Sequence, residues 1–277
     1  MNRENVERFL ASHSYARNTH DRYLRVLGSA YELPVEDWQA VDLISFCVRP
    51  EWGNSQQRVA LYAFHKYIRW RWGDDHAALA ARIKQVRPKM QRVLSASKAL
   101  ELLASFDTSI PPGVRDLAIA AVALDTGLRC SELCSLALAD VDLHQRTLQV
   151  IVKGGQWGSG VFSPHTAQYI AEWIAFRKPA DGVGTLFLSL QNQHKGWALT
   201  REGLQGIVKR WGLRIGIRLS PHDLRRSFAT LATIFGAPSR IVQQAGRWSS
   251  ITMVELYTRR LDASAIEPFL PVSHLVK

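Results

Sequence analysis

Apolar residues in the first part of the chain recur every three to four positions, which is the spacing of one face of an α-helix. Residues 54–72 show this pattern most clearly, with Leu61, Phe64 and Ile68 on one stripe and basic side chains on another face. A shorter stretch, 38–47, has the same spacing. The pattern of this first part therefore predicts an all-helical region.

A further helix is predicted to begin at a polar turn. Asn18 can cap a first turn, and Asp21 follows three residues later, as in a capping box. Tyr23, Leu24 and Leu27 then supply an apolar face. We therefore expect Asn18 to be the N-cap residue of this helix.

The pattern changes after Ser95, which suits the N-cap of a helix that runs to Leu103. Residues 114–125 are strongly apolar, so the helix expected there should be buried. A short helix carrying Glu132 follows the break at 126–129. The later helices are predicted at 165–177, 200–213, 221–235, 238–245 and 250–257.

One segment of this second part has the pattern of a strand. Residues 147–153 alternate in polarity and are rich in β-branched side chains. The glycine-rich stretch 154–160 is predicted to be a hairpin loop, and residues 161–162 are predicted to return as the partner strand. The fold class is therefore mainly α with a small β-sheet.

The composition is that of an ordinary globular protein, with 47% hydrophobic and 21% charged residues. The formal net charge of +11 indicates a polyanionic partner. Both parts of the chain carry this charge, because 15 basic residues stand against 10 acidic ones in 1–92 and 20 stand against 14 in 93–277. Solubility alone is a weaker explanation, since acidic charge serves solubility better.

Candidate phosphate contacts lie on the helix predicted at 54–72. Arg58, Lys66 and Arg69 share a face that is distinct from the apolar stripe. The aromatic rings interleaved with them are more typical of a core than of a base-stacking surface, although both interpretations are open. These rings belong to Tyr62, Tyr67, Trp70 and Trp72.

Three regions follow from these patterns. They are a helical domain at 1–75, a basic linker at 76–94 and an α+β domain with a C-terminal tail at 95–277. In the linker, Arg87 and Lys89 are further candidate DNA contacts, and a solvated run of charge is an equally good interpretation.

The cysteines and apolar runs limit the cell compartment and the cofactors. Cys47, Cys130 and Cys134 cannot all pair, so reduced thiols are expected. Cys130 and Cys134 have no matching His/Cys cluster nearby, and we expect no metal and no cofactor. The longest apolar run, 117–124, is too short to span a bilayer, and the polar N-terminus has no signal core. These features predict a cytoplasmic protein with no membrane partner.

The sharpest local motif is Ser-Pro-His-Asp-Leu-Arg at 220–225. Ser220 and Pro221 suit the N-cap and the first position of a helix. His222 and Arg225 then lie on one face of the first turn, where the helix dipole favours an anion. His-x-x-Arg by itself is common on solvated surfaces, and its specificity depends on the companion residues.

Those companions complete a set that could attack a phosphodiester through a tyrosine. Two guanidiniums, from Arg129 and Arg225, can hold the non-bridging oxygens and stabilise the charge of the transition state. A lysine and a histidine can carry protons to and from the leaving oxygen and the phenol. Tyr257 could instead be a core residue, but the polar and basic residues that follow it favour an accessible phenol. The further members are Lys153, His222 and Trp248.

Three boxes, in this order, resemble those of the phage-integrase superfamily of tyrosine recombinases. Thr126–Leu133 resembles the first arginine box, His222–Arg225 the His-x-x-Arg box, and Gly246–Tyr257 the final box with its nucleophile. The resemblance extends to the N-terminal region and covers almost the whole chain. It implies an all-helical core-binding, DNA-binding domain at 1–75 and an α+β tyrosine-recombinase catalytic domain at 95–277.

The resemblance also implies a role for each residue in these boxes. Arg129 and Arg225 would bind the scissile phosphate, and Glu132 would support the arginines. His222 would assist proton transfer. Tyr257 would be the nucleophile and would form a 3′-phosphotyrosyl link.

Two positions depart from the common family pattern. Trp248 stands where most relatives have histidine, as in the Cre-type recombinases, so an indole N–H would donate to the phosphate. Lys153 would be the general acid for the departing 5′ oxygen, but the loop predicted at 154–160 is longer than usual and uncharged. Lys195, in a polar loop, is the alternative lysine.

The implied function is site-specific DNA recombination or integration. Its partners would be double-stranded DNA with a specific site and three further copies of the chain in a synaptic tetramer. The sequence leaves open whether an accessory protein sets the direction, and whether the apolar tail packs in cis or in trans. Two alternatives remain: a type IB topoisomerase, which would use the same site chemistry but rejoin the same strand, and a non-catalytic DNA-binding regulator on the same fold.

Overall fold

The structure is a computed structural model with two units. It describes residues 1–86, 92–152 and 155–258, with only the backbone of 192 and 256–258. The units are Met1–Lys89 and Met90–Lys277, and each has its own hydrophobic core. The predicted fold class, mainly α with a small sheet, is confirmed.

The first unit is helical throughout its described part. Its longest helix has the bounds that the periodicity predicts, and Leu61, Phe64 and Ile68 are buried in its core as expected. Of the aromatic residues interleaved with the basic face, Tyr67 is fully buried, whereas Tyr62 is exposed. The helices are α1 (Arg3–Ala11), α2 (Arg17–Gly28), α3 (Ala40–Cys47) and α4 (Asn54–Trp72).

The predicted cap of α2 is wrong. The N-cap residue is Ala16, which makes no side-chain capping bond. The N–H groups of Thr19 and His20 donate to the carbonyl of Ala16 at 2.8 and 3.0 Å, so the first turn closes before Asn18. Asn18 therefore lies inside the helix, where its side chain cannot act as the cap.

The first unit also continues past residue 75, into the predicted linker. Ala78, Leu79 and Ala81 are buried in its core. The Asn54 side chain, at the start of α4, bonds to the carbonyl of Lys84 and to the N–H of Val86, both at 3.0 Å. The charges of this segment suggested a linker, but its small apolar residues decide how it packs. Arg87 and Lys89 lie outside the described residues.

The second unit contains the remaining helices and the sheet. Ser95 accepts the N–H of Lys98 at 3.2 Å, so the predicted cap of its first helix is confirmed. None of the helices within the described ranges is long and apolar enough to cross a bilayer. The helices are α5 (Ala96–Ala104), α6 (Pro111–Thr126), α7 (Cys130–Ser135), α8 (Pro164–Phe176), α9 (Arg201–Arg214), α10 (Pro221–Ile234), α11 (Ser239–Ala245) and α12 (Thr252–Thr258).

Helix α6 is the centre of this unit, as its apolar sequence predicts. It packs against α8 and α10, and nearly every residue on it is buried. Its one buried ion pair is satisfied from several sides. Asp116 accepts Arg115 at 2.6 Å and the indole N–H of Trp211 at 2.8 Å, while Arg115 also donates to the carbonyl of Leu188 at 3.2 Å. Because both charges have partners, the helix can carry them inside the core.

The sheet differs from the prediction in its turn. Three antiparallel strands lie in the order β1 (Val141–Asp142), β2 (Thr147–Ile151) and β3 (Trp157–Val161). Ile151 pairs with Trp157, so most of the predicted loop is strand. The glycines suggested a loop, but Gly158 and Gly160 are strand residues where other side chains approach closely.

Candidate active site

A reciprocal cap holds the first turn of α10. Ser220 Oγ accepts the N–H of Asp223 at 3.4 Å, and Asp223 Oδ2 accepts the N–H of Ser220 at 2.9 Å. Pro221 occupies the first position, where no N–H is needed. This N-terminus is predicted correctly, and it places His222 and Arg225 at the positive end of the helix.

The guanidinium of Arg225 is held by two other segments of the chain, the break after α6 and the loop after α11. The residue is only 2% exposed. Nη1 donates to the carbonyl of Gly127, and Nη2 donates to the carbonyl of Gly246 at 2.6 Å. The ring of Trp248 lies 4.4 Å from Cζ, close enough for a cation–π contact. The position of this cation is therefore set by the fold before any ligand binds.

Gly127 must be glycine for two reasons. It ends α6 in the left-handed region, with φ +58°. A Cβ at this position would lie 2.4 Å from Cδ1 of Phe228 on α10. Both the backbone conformation and the close approach exclude a side chain. The Thr-Gly-Leu-Arg break in the sequence thus brings a carbonyl against Arg225.

Arg129 is held by a buried carboxylate. Its backbone N–H donates to Glu132 Oε2 at 2.8 Å, and its Nη1 donates to Oε1 at 2.6 Å. The Glu132 side chain is 3% exposed, whereas that of Arg129 is 37% exposed. Glu132 therefore orients a guanidinium that remains accessible.

Both arginines contact the loop between α11 and α12. Nη2 of Arg225 donates to the carbonyl of Gly246 at 2.6 Å, and Nη2 of Arg129 lies 3.5 Å from the carbonyl of the next residue, Arg247. Two guanidiniums that are distant in the sequence therefore contact consecutive peptide groups. This arrangement brings the guanidiniums of two separate motifs against the same loop.

His222 lies beside these cations. Partial burial lowers the pKa of its imidazole from the ordinary 6.5, and the charges of Arg226, Arg225 and Arg129 lower it further. Asp223 opposes this shift but does not reverse it. The free protein therefore holds a neutral imidazole at neutral pH. Arg226 pairs with Asp223 at 3.0 Å.

Trp248 belongs to a small core between α10, α11 and α12. It stacks on Phe228 with the ring centroids 6.2 Å apart, and Val254 of α12 is fully buried in the same cluster. The backbone of Tyr257 lies on α12, one turn after Val254. The helix of Tyr257 thus packs on the helix of Arg225, and the Tyr257 hydroxyl lies outside the described residues.

Lys153 also lies outside the described residues, but its two flanking segments do not. The N–H of Val152 donates to the carbonyl of Gln156 at 2.8 Å, and the N–H of Gly155 donates to the carbonyl of Val152 at 3.0 Å. The turn is therefore short, which removes the objection based on a long loop. Lys195, the alternative, is an exposed residue after a short 3-10 helix.

Sequence reasoning gave no role to Arg247, although this residue lies in the final box. Its side chain is only 9% exposed, with Nη2 2.9 Å from the carbonyl of Thr126 and 3.9 Å from Glu132. Its described side-chain hydrogen bonds go to backbone carbonyls: those of Ser159 and Thr126 on distant segments, and that of Ala245 two residues earlier. A backbone acceptor has no characteristic residue type, so the sequence contained no signal for these contacts.

The first unit contributes a basic groove of about 1150 Å³ along α2 and α4. Arg58 and Arg69 line it, as predicted from the basic face, and Arg22 and Arg82 line it as well. Arg69 also pairs with Asp74 at 2.9 Å. We define these four arginines as the basic groove.

Lys66 is not among the residues that line the basic groove. Its ammonium lies 5.6 Å from the centroid of the Tyr62 ring. Tyr62 and His65 do line the groove, so the aromatic face and the basic face meet there. The sequence missed Arg22 and Arg82 because they lie on other segments that fold against α4.

The three cysteines are free thiols, as predicted. A contact between Cys130 and Cys134 lowers the pKa of the first thiol and raises that of the second. Among the described residues, no three His, Cys, Asp or Glu side chains are grouped in a way that could hold a metal ion.

The fold and the site together define a class of protein. The sequence model of the phage integrase family matches residues 92–264, and the chain belongs to this family of tyrosine recombinases. A curated relative, tyrosine recombinase XerD of Listeria monocytogenes serotype 4b (strain F2365), is 32% identical over 221 residues, which cover 74% of this chain and 72% of XerD.

Solved structures show the same fold. An integrase of the transposon Tn1549, in complex with a circular intermediate DNA, matches with a TM-score of 0.73 at 19% identity, over 96% of this chain and 99% of that one. The XerH site-specific recombinase, in a post-cleavage complex with its difH substrate, matches with a TM-score of 0.69 at 21% identity, over 91% of this chain and 77% of that one. The chain is thus a site-specific DNA recombinase, as the sequence motifs predict.

Proposed function

We propose that this recombinase cleaves DNA through Tyr257. The phenol oxygen forms a bond to the scissile phosphorus, and the bond from phosphorus to the 5′ oxygen breaks. The product is a 3′-phosphotyrosyl link and, after protonation, a free 5′-hydroxyl. Attack by the 5′-hydroxyl of a partner duplex reverses these bonds and releases the tyrosine. The ester conserves the bond energy, so the exchange consumes no nucleotide.

One observation carries this proposal: the guanidiniums of Arg129 and Arg225 contact consecutive carbonyls of the loop that precedes α12. A phosphate bound between them would be neutralised from two sides, and its transition state would gain more than its ground state. Glu132 would keep Arg129 in place for this purpose. The same loop leads into α12, which carries Tyr257, so one segment would bring phosphate and nucleophile together.

Three other residues complete the catalytic set. Neutral His222 would hydrogen-bond the phosphate and take up the phenol proton. Lys153 would give a proton to the departing 5′ oxygen, and the short turn between β2 and β3 suits that role. The indole of Trp248 would donate its N–H to the phosphate in place of the histidine of most relatives.

The partner we propose is duplex DNA carrying a specific recombination site. The basic groove would supply phosphate contacts in the first unit, with Lys66 near it, and Arg87 and Lys89 would add contacts beyond it. Exchange of two duplexes breaks four strands, and each break needs one tyrosine. The active assembly would therefore be a homotetramer.

A nicked suicide substrate tests the proposal. The short fragment that carries the new 5′-hydroxyl diffuses away after cleavage. The covalent adduct therefore accumulates and can be quantified on a denaturing gel. We expect the wild type to form the adduct and Tyr257→Phe to form none while binding the same DNA. An adduct in Tyr257→Phe would show that another residue is the nucleophile. Recombination between two labelled duplexes separates strand exchange from rejoining of a single strand.

A further inference from the structure

Arg247 occupies an unfavourable backbone conformation for an arginine. Its φ of +56° lies in the left-handed region, where a residue with a Cβ is strained. The residue lies between α11 and α12, directly before Trp248. Such a conformation persists only when the surrounding contacts stabilise it.

Those contacts join three parts of the second unit. Nη1 donates to the carbonyl of Ser159 on β3 at 2.9 Å and to that of Ala245 at 2.8 Å. Nη2 donates to the carbonyl of Thr126, at the end of α6, at 2.9 Å. The carbonyl of Arg247 lies 3.5 Å from Nη2 of Arg129. One residue thus bonds to the hairpin, to the end of α6 and to a phosphate-binding arginine.

The fit against the hairpin is close. A Cβ added to Gly158 on β3 would lie 2.7 Å from Cδ of Arg247 and 2.9 Å from Cγ1 of Val152. There is therefore no space for a further methyl group between Gly158 of β3, the aliphatic part of the Arg247 side chain and Val152, which follows β2. Val152 is the residue immediately before Lys153 in the sequence.

One face of the hairpin is exposed to solvent. Ile151, Trp157 and Val161 are 58%, 63% and 68% exposed. A hairpin with so much exposed surface depends on a few specific contacts for its position. The contacts of Arg247 come from the same box that leads to Tyr257.

We propose that Arg247 is a positioning residue, which fixes the β2–β3 hairpin so that Lys153 can protonate the departing 5′ oxygen. This inference rests on the proposed role of Lys153. It assigns to Arg247 a task separate from phosphate binding, because its guanidinium is directed at backbone carbonyls. Its cost in backbone strain is offset by these contacts.

The test uses DNA in which the scissile 5′ oxygen is replaced by sulfur. A thiolate leaves without a proton, because thiols are much stronger acids than alcohols, so this substrate does not need a general acid. Arg247→Gly removes the guanidinium and relaxes the backbone strain. We expect it to cleave ordinary DNA at least about 100-fold more slowly and to cleave the sulfur substrate at close to the wild-type rate. Arg247→Lys should recover part of the loss on ordinary DNA.

Two further variants make the result decisive. Gly158→Ala disturbs the same contact from the hairpin side while keeping Arg247, and it should show the same selective rescue. It also decides the question if Arg247→Gly does not fold. Arg177→Gly is the matched control, since Arg177 also binds backbone carbonyls, of Val183 and Thr185 at 3.1 and 2.6 Å. It should lower the melting temperature without any preference for the sulfur substrate.

The inference is overturned if Arg247→Gly cleaves both substrates at the wild-type rate, or if it is equally slow on both. Lys153→Ala separates this failure from a failure of the proposed function. If Lys153→Ala is not rescued by sulfur, then the role of Lys153 itself is wrong. If it is rescued and folded Arg247→Gly is not, then only the positioning role of Arg247 is wrong.

Discussion

The two units of this recombinase use arginine in opposite ways. In the second unit, Arg225 is 2% exposed and is held by the carbonyls of Gly127 and Gly246. In the first unit, the four arginines of the basic groove are all exposed. Arg225 is therefore a buried, fixed part of the fold, whereas the side chains of the basic groove are exposed charges.

This difference corresponds to two contributions to the free energy, one to stabilisation of the transition state and one to DNA affinity. A cation held in place before the reaction does not have to reorganise when charge grows on the phosphate, so it can accelerate the chemical step. An exposed cation contributes mainly by displacing counterions from DNA, so it raises affinity in a salt-dependent way. We therefore expect the buried arginines to control rate and the exposed ones to control binding.

The largest expected effect is on the fixed cation. Arg225→Lys keeps the charge but loses the planar fork that holds two carbonyls and that we propose also binds the phosphate. We expect single-turnover cleavage of the nicked substrate to fall by about 10²–10³-fold, with affinity for the uncleaved site nearly unchanged. Arg214→Lys, an exposed arginine of the same unit, is the control and should cleave normally. Wild-type cleavage by Arg225→Lys would mean that charge alone is sufficient.

A smaller effect is expected in the basic groove. Arg58→Ala should reduce DNA affinity and lower the slope of log affinity against log salt by about 0.9, as for one lost phosphate contact. The cleavage rate at saturating DNA should not change. Arg3→Ala removes the same charge from α1, where Arg3 pairs with Glu7 at 2.7 Å, and should leave the slope intact. A lower saturating rate for Arg58→Ala would contradict the division between binding and chemistry.

The sequence did not predict the two kinds of arginine equally well. The box at 220–225 predicts its own geometry, because the cap, the proline and the helical spacing are all local. The periodicity of α4 likewise predicts its bounds and its buried stripe. Local patterns were sufficient for these two helices, but not for α2, whose first turn closes on Ala16 before the predicted cap Asn18.

The rest depended on contacts between distant segments. Gly158 and Gly160 suggested a loop, but they are strand residues whose missing side chains leave space for Arg247 and Leu148. Arg247 itself bonds to backbone carbonyls. Because every residue has one, the sequence gives no sign of which residues are its partners. Arg22 and Arg82 join the basic groove only because separate segments fold beside α4.

The smallest expected effect is on the pH dependence of DNA binding, to which one histidine from each unit should contribute. Burial and nearby arginines lower the pKa of His222, and burial together with Arg82 and Arg69 lowers the pKa of His65 in the basic groove. A DNA phosphate beside either ring would cancel part of the arginine field and raise the pKa of that ring again. The complex would then bind more protons than the free protein at pH values just below 6.5, the ordinary value for histidine.

Affinity must therefore increase as the pH falls through this range, because the bound state takes up protons. Calorimetry in two buffers of different ionisation enthalpy measures the uptake directly. We expect His222→Gln and His65→Gln each to remove part of it. The arginines around His222 are held by the fold, whereas those around His65 are exposed. Added salt should therefore reduce the proton uptake that depends on His65 more than the uptake that depends on His222. Equal salt sensitivity of the two shares would contradict the contrast between a fixed and a solvated set of arginines.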